Sequence, residues 1–200
     1  MTLASRKETL TCIAVLGAWL IVTAIFVGLR PEHLIMALPI AALFLCADWT
    51  RRIIAALLPF AIFGISYDWM NIVPNYEVNP IDTAGIYAAE KSLFGIATAA
   101  GVVTPNEFLA MHTAPAIDFI CGLFYLCWVP VPIGFGLWLY LSGRREWTIH
   151  FTLVFLLVNF IGFAGYYLHP AAPPWYVAQY GFEPVLAPTA PLRVSTPSTK

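Results

Sequence analysis

The chain predicts an all-α integral membrane protein, with about five transmembrane helices plus further helices in the membrane interface. Three observations carry this. Hydrophobic residues make up 60% of the 200 residues and charged residues only 10%, against about 25% charged in soluble domains. Mean hydropathy is +0.78. The apolar residues fall into long runs separated by short polar turns, the pattern needed to cross a hydrocarbon core of roughly 30 Å. A formal net charge of −1 gives no electrostatic footprint for nucleic acid. Cys12, Cys46, Cys121 and Cys127 all lie in apolar stretches and read as small buried hydrophobes, not as a disulfide or metal framework. No internal repeat stands out.

The first span is Leu10 to Leu29. It is longer than the apolar core of a cleaved signal peptide, usually about 7–15 residues, and Arg30-Pro31-Glu32 follows it. Leu34 to Ala47 and Ile53 to Tyr67 form a helical hairpin around a polar turn, Asp48 to Arg52, with Pro39 and Pro59 as expected kinks. Asp68 to Pro115 is different. Asn79-Pro80 is a turn signal, and the residues beyond it mix apolar side chains with Asp82, Glu90, Lys91 and Glu107. Thr104-Pro105-Asn106-Glu107 carries a capping-box pattern with proline at the first helical position. Two amphipathic helices lying in the interface are expected over residues 81–114.

Ala116 to Leu141 is a fourth span broken at Pro130-Val131-Pro132, and Thr148 to Leu168 is the fifth. Residues 1–182 are expected to form one helical membrane domain, and residues 183–200 a disordered tail rich in Pro, Thr and Ser. Paired arginines at Arg51-Arg52 and Arg144-Arg145, with Arg6 and Lys7, place the N-terminus in the cytoplasm. The interfacial region and the proline-rich stretch then face outside a multi-pass protein, expected in a bacterial inner membrane.

That stretch, Tyr166-Tyr167-Leu168-His169-Pro170-Ala171-Ala172-Pro173-Pro174-Trp175-Tyr176, ends the fifth span. Proline lacks an amide N–H and clashes with the preceding turn, so a stiff extended segment is expected from Pro170. The flanking rings suit a membrane–water boundary.

These residues resemble the inositol phosphorylceramide synthase branch of the type II phosphatidic acid phosphatase superfamily. The order of Asn75-Tyr76-Glu77-Val78-Asn79-Pro80, Glu90-Lys91-Ser92-Leu93-Phe94-Gly95, and Asp118 with Cys121-Gly122-Leu123-Phe124-Tyr125 is also similar. The resemblance runs from about Tyr67 to Glu183. It implies a six-helix membrane enzyme without metal or other cofactor, acting on lipid phosphate esters at an extracytoplasmic site. Its partners would be membrane lipids: a phospholipid headgroup and a lipid alcohol acceptor. A histidine would attack phosphorus, a carboxylate would orient it, and a second histidine would protonate the leaving group.

The family's two histidine motifs, Pro-Ser-x-His and His-x-x-x-Asp, do not occur in these 200 residues. The catalytic residues are therefore unassigned, and the chain is expected to be an incomplete copy. Both motifs are expected in the coding sequence past Lys200, and no turnover of lipid phosphate is expected from the 200 residues alone. The residues expected to line substrate are His169, Asp118, His112, Tyr167 and Tyr176. His169 reads either as a headgroup contact or as a belt histidine. Asp118 reads either as a headgroup contact or as a helix N-terminal carboxylate, with His112 as its expected partner. Asn159 is expected to bond a neighbouring helix, and Arg144 and Arg145 lie on the wrong face for substrate. The alternative to a lipid phosphotransferase is a non-catalytic accessory protein or inactive remnant. A transporter is a distant third.

Overall fold

A computed structural model describes residues 3–99 and 101–182; the expected tail over residues 183–200 lies outside them. The helices are α1 (Arg6–Phe26), α2 (Pro31–Cys46), α3 (Asp48–Trp69), α4 (Asn75–Val78), α5 (Ala84–Phe94), α6 (Pro105–Met111), α7 (Pro115–Leu126), α8 (Pro130–Leu141), α9 (Arg145–Leu168) and α10 (Pro174–Tyr180). A 3-10 turn, Met70–Ile72, extends α3, and two strands, β1 (Ile96–Thr98) and β2 (Gly101–Val103), pair antiparallel. The protein is a multi-pass integral membrane protein. Among the described residues, α1, α3 with its 3-10 turn, and α9 are long and apolar enough to cross a bilayer, and α7 with α8 makes a fourth span if the bent pair is taken together. α2 has 16 residues, about 24 Å at 1.5 Å per residue, which leaves it short of the hydrocarbon thickness.

The chain divides into two compact units. The first runs to Pro80 and resumes over Ala114–Leu168; the second takes Ile81–Thr113 and the described residues from His169 on.

In the first unit the core is aromatic. Phe63 stacks on Phe163 (5.8 Å between centroids) and meets Phe155 and Trp128 edge-on. Phe60 packs against Phe155 at 4.7 Å. Gly136 of α8 lies where a Cβ would stand 3.2 Å from Phe60 and 3.6 Å from Thr152, so the missing side chain lets α8 approach α3 and α9 closely. Thr152, fully buried, donates its hydroxyl to the Ala56 carbonyl of α3 at 3.3 Å. This bond ties α9 to α3. Asn159, expected in that role, donates instead to Phe155 of its own helix.

Several elements differ from expectation. Asp48 to Arg52 is the first turn of α3 and not a loop; the extended backbone of Ala47 alone reverses the chain. Arg51 is buried, pairs with Asp48 and Glu8, and donates to the Phe44 carbonyl. Pro39 and Pro59 lie inside continuous helices. Cys12 is buried, but Cys46 and Cys121 are exposed. The break at Pro130 bends α7 against α8 by 51°, as the prolines predict.

At the opposite end of α3, the Arg30 amide donates to His33 Nδ1 at 2.9 Å. That nitrogen is therefore unprotonated, and His33 Nε2, 3.0 Å from Asp68, carries the proton and donates it to the carboxylate. The Arg30 guanidinium pairs with the same carboxylate.

The C-terminal end of α9 has its own cap. An α-helix leaves its last four carbonyls without intrahelical donors. The Asn75 side-chain amide donates to the Tyr166 carbonyl at 3.2 Å, and Asn79 donates to that of Tyr167 at 2.6 Å. The four-residue spacing of these asparagines across α4 places both amides on one face. Tyr167 ties the same corner by donating its hydroxyl to the Val73 carbonyl at 2.8 Å. Replacing Asn79 by Ala is expected to lower stability by about 1 kcal/mol, read as a lower melting temperature of the purified protein in micelles.

Candidate functional site

The second unit is built where the proline-rich stretch returns against the chain that follows Pro80. Proline cannot donate, but its carbonyl accepts. The Asp82 amide donates to the Pro170 carbonyl at 2.8 Å, and the Ala172 amide donates to the Asp82 carbonyl at 3.1 Å. This is one parallel bridge, Asp82 to Ala171, with Pro170 fully buried beside it. The extended segment expected from Pro170 is short. Pro174 occupies the first turn of α10, where a missing N–H costs nothing. Of the expectation for residues 81–114 the helices are present, as α5 and α6, and neither is long enough to span. The hairpin between them was not foreseen.

The bridge brings a carboxylate to the histidine. His169 Nε2 lies 3.2 Å from Asp82 Oδ2. An ionised carboxylate only accepts, so any proton between the two is carried by Nε2. The other Asp82 oxygen accepts the Gly85 amide at 2.8 Å, three residues on, as a capping aspartate does. Gly85 makes room for this: a Cβ there would fall 2.6 Å from the carboxylate. Asp82 is thus fixed by backbone on both sides and by its own side chain. The His169 side chain is 64% exposed and that of Asp82 27%. An exposed pair of this kind adds little to stability. What it does is orient the ring, with Nδ1 free to accept a proton or, once protonated, to donate to an anion.

A second polar group supports the same unit. Thr104 and Glu107 form the expected capping box at the start of α6. The Tyr87 hydroxyl of α5 donates to Glu107 Oε1 at 2.8 Å, and the Thr104 amide donates to Oε2 at 2.8 Å. The Thr104 amide first, and Tyr87 next, hold the Glu107 carboxyl below the usual carboxylate range. The hydrogen bond to Glu107, then burial, pushes the Tyr87 phenol up. Lys91 stands 5.5 Å over the Tyr87 ring. Thr83 donates its hydroxyl to the Phe182 carbonyl at 2.7 Å, and Tyr87 meets the Phe182 ring edge-on. Ile86, Tyr87, Glu90, Glu107, Pro174 and Val177 line a small cavity within this unit.

The sequence-predicted residues divide between the units. His169, His112 and Tyr176 belong to the second; Asp118 and Tyr167 belong to the first. His112 finds its partner in its own unit: Nδ1 donates to the Phe108 carbonyl at 2.8 Å, and the ring stacks on Phe108. Tyr176 packs on Trp175 and Tyr180. Asp118 is exposed in the first turn of α7, where the helix dipole favours a carboxylate. Sequence reading missed Asp82 as the partner of His169. The signal was present in Asp82-x-x-Gly85, a capping pattern just past Pro80, but the pairing spans residues far apart in the chain.

The chain belongs to the PAP2 superfamily, whose family model matches residues 91–198. Among curated proteins it is similar to the phosphoinositol dihydroceramide synthase of Bacteroides thetaiotaomicron, 59% identical over 182 residues. That alignment takes in 91% of this chain and 60% of the relative, so the chain spans about three fifths of the relative's length. No solved structure matches.

The linkage signs of the Tyr87–Glu107 pair differ. A depressed Glu107 value contributes stability above the ordinary carboxyl value of 4.5 and loses it as pH falls through the folded value. A raised Tyr87 value contributes below 10.0 and loses it as pH rises through the folded value. Tyr87→Phe is therefore expected to move Glu107 up toward 4.5 in a carboxyl NMR titration and to shrink both pH-dependent losses.

Proposed function

We propose that this chain forms the lipid-facing scaffold and headgroup contact of a phosphoryl-headgroup transferase in a bacterial inner membrane. The N-terminus lies in the cytoplasm and the proline-rich stretch outside. The substrate class is a phosphoinositol-bearing phospholipid, with a dihydroceramide-type alcohol as acceptor; the relative's name and the extent of the identity support that choice. The observation that carries the reading is the Asp82–His169 pair, whose histidine lies inside the family match. His169 presents Nδ1 to a phosphoryl oxygen. Asp82 holds the imidazole in place from the Nε2 side. His112 and Tyr176 share the unit and are assigned to its lining. This contact requires no metal.

A second reading is a non-catalytic subunit that binds the same headgroup. Both readings keep headgroup binding and differ in turnover.

The test uses the full chain in nanodiscs, with phosphatidylinositol as probe. His169→Ala is expected to weaken binding about tenfold, the equivalent of about 1.4 kcal/mol. Asp82→Asn is expected to weaken it less. Unchanged affinity in both variants contradicts the reading. Transfer of labelled headgroup to dihydroceramide, assayed in the same discs, separates the enzyme from the subunit.

A further inference from the structure

A wide cleft opens between α8 and α9 at the end where the two helices are joined. Its walls are apolar and aromatic: Phe135, Trp138 and Leu139 from α8, Trp147, Phe151 and Val154 from α9. Arg144 and His150 complete the lining. Its volume is about 810 Å³, within the usual range of ligand pockets, roughly 300–1,000 Å³. Leu139 is buried at its floor, while Trp138, Trp147 and Val154 are exposed along its sides.

Two features define what fits. The first is length. From Arg144 to Val154 the cleft follows ten residues of helix, about 15 Å at 1.5 Å per residue. That is half of a hydrocarbon core roughly 30 Å thick, the depth of a single leaflet. The second is charge. The Arg144 guanidinium is held 5.6 Å over the Trp138 ring and that of Arg145 5.4 Å over the Tyr140 ring. Among the described residues neither arginine forms an ion pair with a carboxylate. One cation, Arg144, lines the apolar slot and is held on the face of Trp138, itself a wall of the slot; Arg145, next in the chain, stands over Tyr140.

We propose that this cleft is a binding site for one anionic phospholipid of the adjacent leaflet. Its phosphate is taken by Arg144, with the charge of Arg145 next to it in the chain, and one acyl chain lies along Phe135, Phe151 and Val154. Trp138 and Trp147 frame the glycerol level, as aromatic side chains do at membrane interfaces. The site lies at the Arg145 end of α9, whereas Tyr166 and Tyr167 lie at the other. It is a structural lipid site and does not serve the headgroup chemistry proposed above.

The test is native mass spectrometry of the full chain released from nanodiscs of phosphatidylglycerol and phosphatidylcholine in equal amounts. The wild type is expected to retain one phosphatidylglycerol in about tenfold preference to phosphatidylcholine. The double variant Arg144→Gln, Arg145→Gln is expected to lose the preference. Val154→Trp fills the slot and leaves the arginines in place; it is expected to lose the retained lipid altogether. Melting temperature checks that each variant folds. Equal retention of the two lipids, retention unchanged in both variants, or a dimer that carries no lipid would each overturn the proposal.

Discussion

Tyr166 and Tyr167 end α9 with carbonyls that the following chain cannot satisfy. The donor to Tyr166 in a continuing helix would be the amide of Pro170, and proline has none. A carbonyl left without a donor forgoes a bond worth about 1 kcal/mol, and another segment supplies the bonds here. Asn75 and Asn79 do so, four residues apart on the short helix α4. This constraint explains why a turn rich in asparagine precedes the interfacial region and why Tyr167 spends its hydroxyl on the Val73 carbonyl. It also releases the chain after Leu168 to run extended, and only an extended chain can pair Pro170 and Ala172 with Asp82. The placement of His169 beside the Asp82 carboxylate follows from that pairing.

The exposed Asp82–His169 pair gains little from Coulomb attraction. Its geometry is set by backbone bonds and by the space that Gly85 leaves, so the carboxylate is in place before any ligand arrives. Preorganisation of this kind is what a phosphoryl contact needs, because little reorganisation remains at the moment of binding. At the Arg145 end of α9 the chemistry differs. The Arg144 guanidinium on the Trp138 ring lines an apolar slot, the arrangement on which the proposed lipid site rests.

The membrane class and most of the helices were legible in the sequence because long apolar runs and paired arginines are local signals. The capping box at Thr104 and the break at Pro130 were legible for the same reason. α2 came out short because its apolar run is short. The hairpin Ile96–Val103 was missed because three-residue strands of small side chains carry no periodicity. The turn expected at Asp48 is helical because Arg51 reaches Asp48, Glu8 and the Phe44 carbonyl, contacts that composition does not announce. At the site, His169 could be picked out from its neighbours, but Asp82 could not. Their meeting depends on a bridge between distant segments, and a sequence read in order does not display such pairings.

The central claim is that Asp82 holds the His169 imidazole beside its carboxylate. Nitrogen NMR of selectively labelled histidine in the intact chain measures this directly. Asp82→Ala is predicted to move the His169 ring-nitrogen signals and to leave those of His150 in place. His169 signals unaffected by loss of the carboxylate would contradict it.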